Sequence, residues 1–120
     1  MAVRAVRGAI QVDRDDPAAI AAGTVELVTE VVERNGVHHE DIISVVFTMT
    51  ADLASDFPAA GARGLGLTDV PLLCATEIGV PDSLPRVIRL LAHIDSDLPR
   101  SAIRHVYLRG AVALRPDLAA

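Results

Sequence analysis

An α+β fold, with a mixed β-sheet of about five strands and one long helix on one face, is predicted by three features of the chain. Apolar residues recur at sustained helical spacing once, just after DRDDP. Around that segment lie five short stretches rich in β-branched and other apolar residues. The connections between them carry Gly, Pro and acidic residues. The 120 residues suit one domain, assigned to positions 1–120.

Residues 3–12, dominated by Val, Ala and Ile, read as the first strand. Asp16 is a helix cap, because its carboxylate can accept from the free amides of the first turn, and Pro17 has no amide to leave unpaired there. Ile20, Thr24, Leu27, Val28, Val31 and Val32 then follow at helical spacing, with Glu26, Glu30 and Glu33 turned to water. Asn35-Gly36 accepts left-handed backbone and ends the helix.

IISVVFTMT, residues 42–50, reads as a buried second strand. Gly, Pro and small side chains between 51 and 68 predict a loop with a short helix near 59–65. Residues 70–76 and 86–94 give the third and fourth strands. Leu98-Pro99 opens a turn or brief helix, and residues 105–108 begin a fifth strand. The closing LRPDLAA is a Pro-containing tail of the kind that is often mobile.

Hydrophobic residues make up 51% of the chain, more than a domain of this size readily hides. One helix covers at most one face of a five-stranded sheet, so the other face is expected to meet a neighbouring subunit. The formal charge of −5, without a basic run or aromatic series, argues against nucleic-acid binding. All eleven basic side chains are Arg, which excludes Schiff-base and pyridoxal-lysine chemistry. The single Cys74 excludes an internal disulfide and a cysteine-rich zinc site. MAVRAVRGAI lacks the apolar segment of a signal peptide, and no run approaches the ~18 apolar residues of a membrane span. A soluble, cytoplasmic protein without membrane contact is expected.

Most chemical candidates have plain structural readings. His38-His39 sits in a polar connection with no third ligand at metal-binding spacing, so no metal site is assigned. His93 and His105 are single residues in strands, expected to be satisfied structural histidines. GARGLG, from Gly61, has its glycines in the wrong order for a dinucleotide loop. Ser55 and Asp56 have no nucleophile-elbow pattern around them.

The arginines are more informative. PRVIRLL reads as a buried strand, yet Arg89 stands in its middle, sharing a face with Val87, Leu91 and His93. A guanidinium there is costly unless paired, either with a carboxylate such as Glu77 or with a bound anion. Arg7 lies in the first strand between the small Ala5 and Ala9 of its face, Arg63 in the Gly-rich loop and Arg115 in the tail. With Glu77 at a strand end, these side chains suggest a polar pocket for a multiply anionic ligand.

RGAIQVDRDD, the FPA of residues 57–59, Arg63, the CATE of residues 74–77, PRVIRLL and above all RHVYLRGAVALRPDL resemble the monofunctional AroH-class chorismate mutases, in order and over nearly the whole chain. The resemblance implies a homotrimer with a chorismate mutase-like, pseudo α/β-barrel fold and active sites in clefts between subunits. It implies conversion of chorismate to prephenate, in phenylalanine and tyrosine biosynthesis, without a cofactor. Arg89 matches the arginine that donates to the ether oxygen of the breaking bond. Glu77 matches the carboxylate that accepts from the ring hydroxyl, with Cys74 beside it. Arg7 and Tyr107 match side chains that hold a substrate carboxylate, and Arg63 and Arg115 match residues at the cleft mouth. Phe57, Ala59, Leu72, Leu73, Ile78 and Leu114 match positions that line or close the pocket. Ala60 stands where family members often carry Lys. Two rival readings use the same anion pocket: a Rid-type imine-deaminating trimer, and a non-catalytic trimer that binds a small carboxylate metabolite.

Overall fold

In a computed structural model, residues 1–115 are described. The order is β1 (Ala2–Gln11), α1 (Pro17–Asn35), β2 (Ile42–Met49), α2 (Pro58–Gly64), β3 (Leu72–Thr76), β4 (Val87–Ser96) and β5 (Val106–Leu108), with 3₁₀ turns at His39–Asp41, Arg100–Ala102 and Arg109–Leu114. The long helix starts and stops where expected. Asp16 accepts from the Ala19 amide at 2.7 Å, and Gly36 takes the left-handed conformation at φ 61°.

The strand order is β3-β2-β4-β1-β5. The two inner contacts do not follow from sequence order: β1 and β4 pair antiparallel over ten residues although α1, β2, α2 and β3 separate them. β2 runs antiparallel to β4, whereas the outer pairs β2–β3 and β1–β5 are parallel, which makes the sheet mixed as predicted.

Helix α1 covers one face of the sheet. Its Ile20, Leu27, Val28 and Val31 join Val6, Ile10, Val45, Phe47, Ile88, Leu90 and Ile94 in the main core. Close approach of helix to sheet depends on Gly23, where an added Cβ would stand 2.5 Å from Val12 Cγ1. The short α2 packs beside α1 and reaches β3. The opposite face is largely bare: Val3, Leu73 and Leu91 are 58%, 63% and 38% exposed there. One end of it carries a small apolar cluster, formed by Ala9, Val87, Tyr107 and Ala111 with Leu84 and Leu114 against it.

Beside one-residue shifts at β1, β2, α2 and β5, three parts of the chain differ from the expectations: the start of β3, both ends of β4, and residues 109–114. β3 begins at Leu72 rather than at residue 70, and Pro71, having no amide, serves the sheet through its carbonyl, which accepts from the Val45 amide. β4 begins at Val87 because Arg86 has left-handed backbone, φ 55°, fixed by its amide on Asp52 and its Nε on the Val12 carbonyl. β4 also runs two residues further, to Ser96. Residues 109–114, which carried no assignment up to the first tail residue Leu114, form a 3₁₀ turn, and Pro116 to Ala120 of the expected tail lie outside the described residues.

Candidate active site

The bare face of the sheet brings together side chains that are far apart in sequence. In one cross-strand row Tyr107 of β5 pairs with Ala9 of β1, Ala9 with Arg89 of β4, Arg89 with Thr48 of β2, and Thr48 with Ala75 of β3. Directly paired residues share a face of a sheet, so all five lie on one side. The next row holds Arg7, Leu91, Val46 and Leu73. Glu77 follows β3 and extends its ladder, its amide donating to the Met49 carbonyl at 2.9 Å. Strand alternation from Leu73 and Ala75 puts its side chain on the same face.

Of the two partners foreseen for Arg89, a carboxylate and a bound anion, the chain itself supplies the carboxylate. Arg89 is not buried: its side chain is 43% exposed on the bare face, while Ile88 and Leu90 on either side enter the core. Its Nε lies 3.0 Å from Glu77 Oε2. The same Oε2 accepts from the Thr48 hydroxyl at 2.6 Å. Sequence reasoning missed Thr48; its alternation with the buried Phe47 in FTMT was the available signal, but its partner lies 29 positions away. Among the described residues, no acidic side chain reaches Arg7 or Arg63 within salt-bridge distance.

The residues implied by the resemblance fall mainly into three groups. Arg7, Arg89, Glu77, Tyr107, Leu114 and Leu73 are associated with the bare face. Leu72 and Cys74 belong to the other side of β3, where they pack against the main core; Cys74 pairs in register with Phe47. Phe57, Ala59 and Arg63 belong to α2 and its start. Phe57 is 66% exposed, whereas Ala59 is 6% exposed and already packed within the chain. One subunit therefore presents Cys74 away from Glu77, on the reverse of the strand, although a separation of three positions would suggest proximity. Ile78, just beyond Glu77, is 89% exposed.

The other polar candidates have partners within the chain. Ser55 Oγ donates to Asp15, and His93 Nδ1 lies 3.3 Å from the Ser44 hydroxyl. Gly61 and Gly64 of GARGLG lie in α2, and Gly66 supplies the left-handed turn that follows. No cluster of three metal-ligating side chains occurs among the described residues.

His105 is a structural part of the cationic region. Its Nδ1 accepts from the Arg7 amide at 3.0 Å, which requires that nitrogen to be unprotonated. Burial lowers its pKa below the ordinary 6.5, and the nearby Arg7 and Arg115 guanidiniums lower it further. The folded state thus disfavours the proton. Its contribution to stability is complete above pH 6.5 and is lost as pH falls through the folded value. An NMR titration of the His105 ring is expected to give a midpoint below 6.5, and a midpoint above it would contradict this environment.

A family model, chorismate mutase type I, matches residues 3–118. The chain belongs to this family. It is 54% identical over 117 residues to the chorismate mutase AroH of Thermus thermophilus, covering 97% of this chain and 96% of that protein. To the chorismate mutase AroH of Bacillus subtilis it is 39% identical over 119 residues, covering 98% and 94%. A solved chorismate mutase from Clostridium thermocellum superposes with a TM-score of 0.89 at 44% identity, over 91% of this chain and 97% of that one. The mixed sheet with helices on one face is therefore the chorismate mutase fold, as the sequence predicted.

Proposed function

We propose that this chain converts chorismate to prephenate, as a single domain acting within a homotrimer whose active sites lie between adjacent subunits. The observation that carries the assignment is the Arg89–Glu77 pair, set on the bare face in register with Tyr107 and beside Arg7, in a member of this family.

The reaction is a [3,3] rearrangement: one C–O bond breaks and one C–C bond forms within a single molecule. It transfers no proton and needs no nucleophile, so the protein contributes a fixed conformation and a fixed field. Arg7, which has no acidic partner among the described residues, takes a carboxylate of the dianion together with Tyr107. Leu84 and Leu114, packed against the cluster that contains Tyr107, give an apolar wall that favours a compact substrate. Arg89 uses Nε towards Glu77, leaving its terminal nitrogens for the ether oxygen, where negative charge grows as the C–O bond opens. Stabilising that charge more in the transition state than in the ground state accelerates the step. Glu77 accepts from the ring hydroxyl.

The trimer accounts for two observations. Val3, Leu73 and Leu91 form an apolar face that water covers in one chain. Phe57 and Arg63 of α2 lie apart from the Arg89 row in one chain, and a neighbouring subunit would bring its own copies to that row. Catalysis is assigned to the cytoplasm, in phenylalanine and tyrosine biosynthesis; no described helix is long and apolar enough to cross a membrane.

The test is the loss of chorismate's ultraviolet absorbance with identification of prephenate, at several pH values around neutrality. Rapid conversion with a nearly flat kcat is expected, since no proton moves. No conversion would refute the function, and a bell-shaped kcat would refute the mechanism. Light scattering is expected to give three times the 12.7 kDa of one chain.

A further inference from the structure

We infer that Thr48 is a positioning residue: its hydroxyl holds the Glu77 carboxylate so that one oxygen serves the protein and the other is left for substrate. This rests on the chorismate mutase reading and extends it to a residue outside the set implied by the resemblance.

The geometry is specific. Thr48 and Arg89 are direct cross-strand partners on one face, and both meet the same atom, Glu77 Oε2, at 2.6 Å and 3.0 Å. Glu77 is held at a third point by its backbone amide on the Met49 carbonyl, 2.9 Å away. Among the described residues, no protein donor makes a hydrogen bond to Oε1. The Glu77 side chain is only 15% exposed, so an unheld carboxylate has few wet alternatives and would be free to fold fully onto Arg89. Such a collapse would occupy both carboxylate oxygens and the guanidinium edge that faces the ether oxygen. The Thr48 hydroxyl, a donor with no charge of its own, fixes the carboxylate without competing for the substrate's anionic groups.

A threonine in this strand has a plain alternative role, since β-branched residues suit strands whatever their hydroxyl does. Thr48→Val keeps the branching and volume and removes only the hydroxyl; Thr48→Ser keeps the hydroxyl. Hydrogen bonds to charged groups are among the stronger ones, so Thr48→Val is expected to lower kcat/KM by about tenfold or more with an unchanged unfolding midpoint. Thr48→Ser should stay within about threefold of the unsubstituted enzyme, on the same reasoning. In a Glu77→Ala background, adding Thr48→Val should cost little further, because the two groups act as one unit. Equal loss in the Ser and Val variants, no loss in the Val variant, or full additivity with Glu77→Ala would each overturn the inference. A crystal structure of Thr48→Val gives a readout that does not depend on turnover. The Glu77 carboxylate is expected to move off its position beside Thr48, and an unmoved carboxylate would refute the role even if the unsubstituted protein proved inactive on chorismate.

Discussion

Arg89→Lys is expected to lower kcat by about 100- to 1,000-fold while the protein stays folded, the loss typical of removing one donor to a developing oxyanion. Lysine keeps the charge but replaces a planar fork by a single point donor. In the proposed mechanism the fork has two uses at once: Nε, which lies 3.0 Å from Glu77 Oε2, holds the carboxylate, and the terminal nitrogens serve the ether oxygen. An ammonium that pairs with Glu77 is drawn away from the reacting bond, and one that reaches the bond abandons Glu77. Because the Arg89 side chain is 43% exposed and lies outside the main core, the unfolding transition should barely move. Steady-state kinetics beside a urea melt separates the two effects. Near-normal turnover by Arg89→Lys would remove Arg89 from the proposed chemistry.

Phe47→Ala is expected to have the opposite signature, a large loss of stability from a residue that touches no reacting atom. Phe47 is fully buried and lies between Leu90 on β4 and Cys74 on β3, facing the helices. Truncating a buried Phe costs about 3–5 kcal/mol in typical cores. Against a total of about 5–15 kcal/mol for a folded domain, that is a severe change. The substitution also removes the packing beneath Thr48, the next residue, so any protein that remains folded should show reduced turnover. Urea unfolding provides the measurement. A loss below about 1 kcal/mol would mean that the layer repacks around the missing ring, contrary to the close packing inferred here.

Much of the fold was legible in the chain. The Asp16-Pro17 start and the Asn35-Gly36 stop bracket α1 because capping is local chemistry, decided by a few adjacent residues. The β-branched stretches gave every strand, with errors where one residue departs from the rule. Arg86 carries no glycine-like signal for its left-handed backbone; contacts with Asp52 and Val12, more than thirty positions away, impose it. The site was legible as a set of residue types, and more fully through the resemblance, but not as an arrangement. Cys74 and Glu77 are near neighbours in CATE, yet Cys74 faces the core and Glu77 the bare side, because three steps along an extended chain reverse the face.

Sequence by itself determined the elements, the chemistry absent from this chain, and the arginines that call for an anion. Those properties depend on local propensity and on side-chain type, both of which are written residue by residue. Only the tertiary structure decided that β4 lies between β1 and β2, that Arg89 is half-exposed rather than buried, and that Thr48 shares Glu77 Oε2 with it. Alternation along a strand says which residues share a face, but not which strands become neighbours. That choice minimises the free energy of the whole sheet and helix layer, and the meeting of Thr48, Glu77 and Arg89 follows from it.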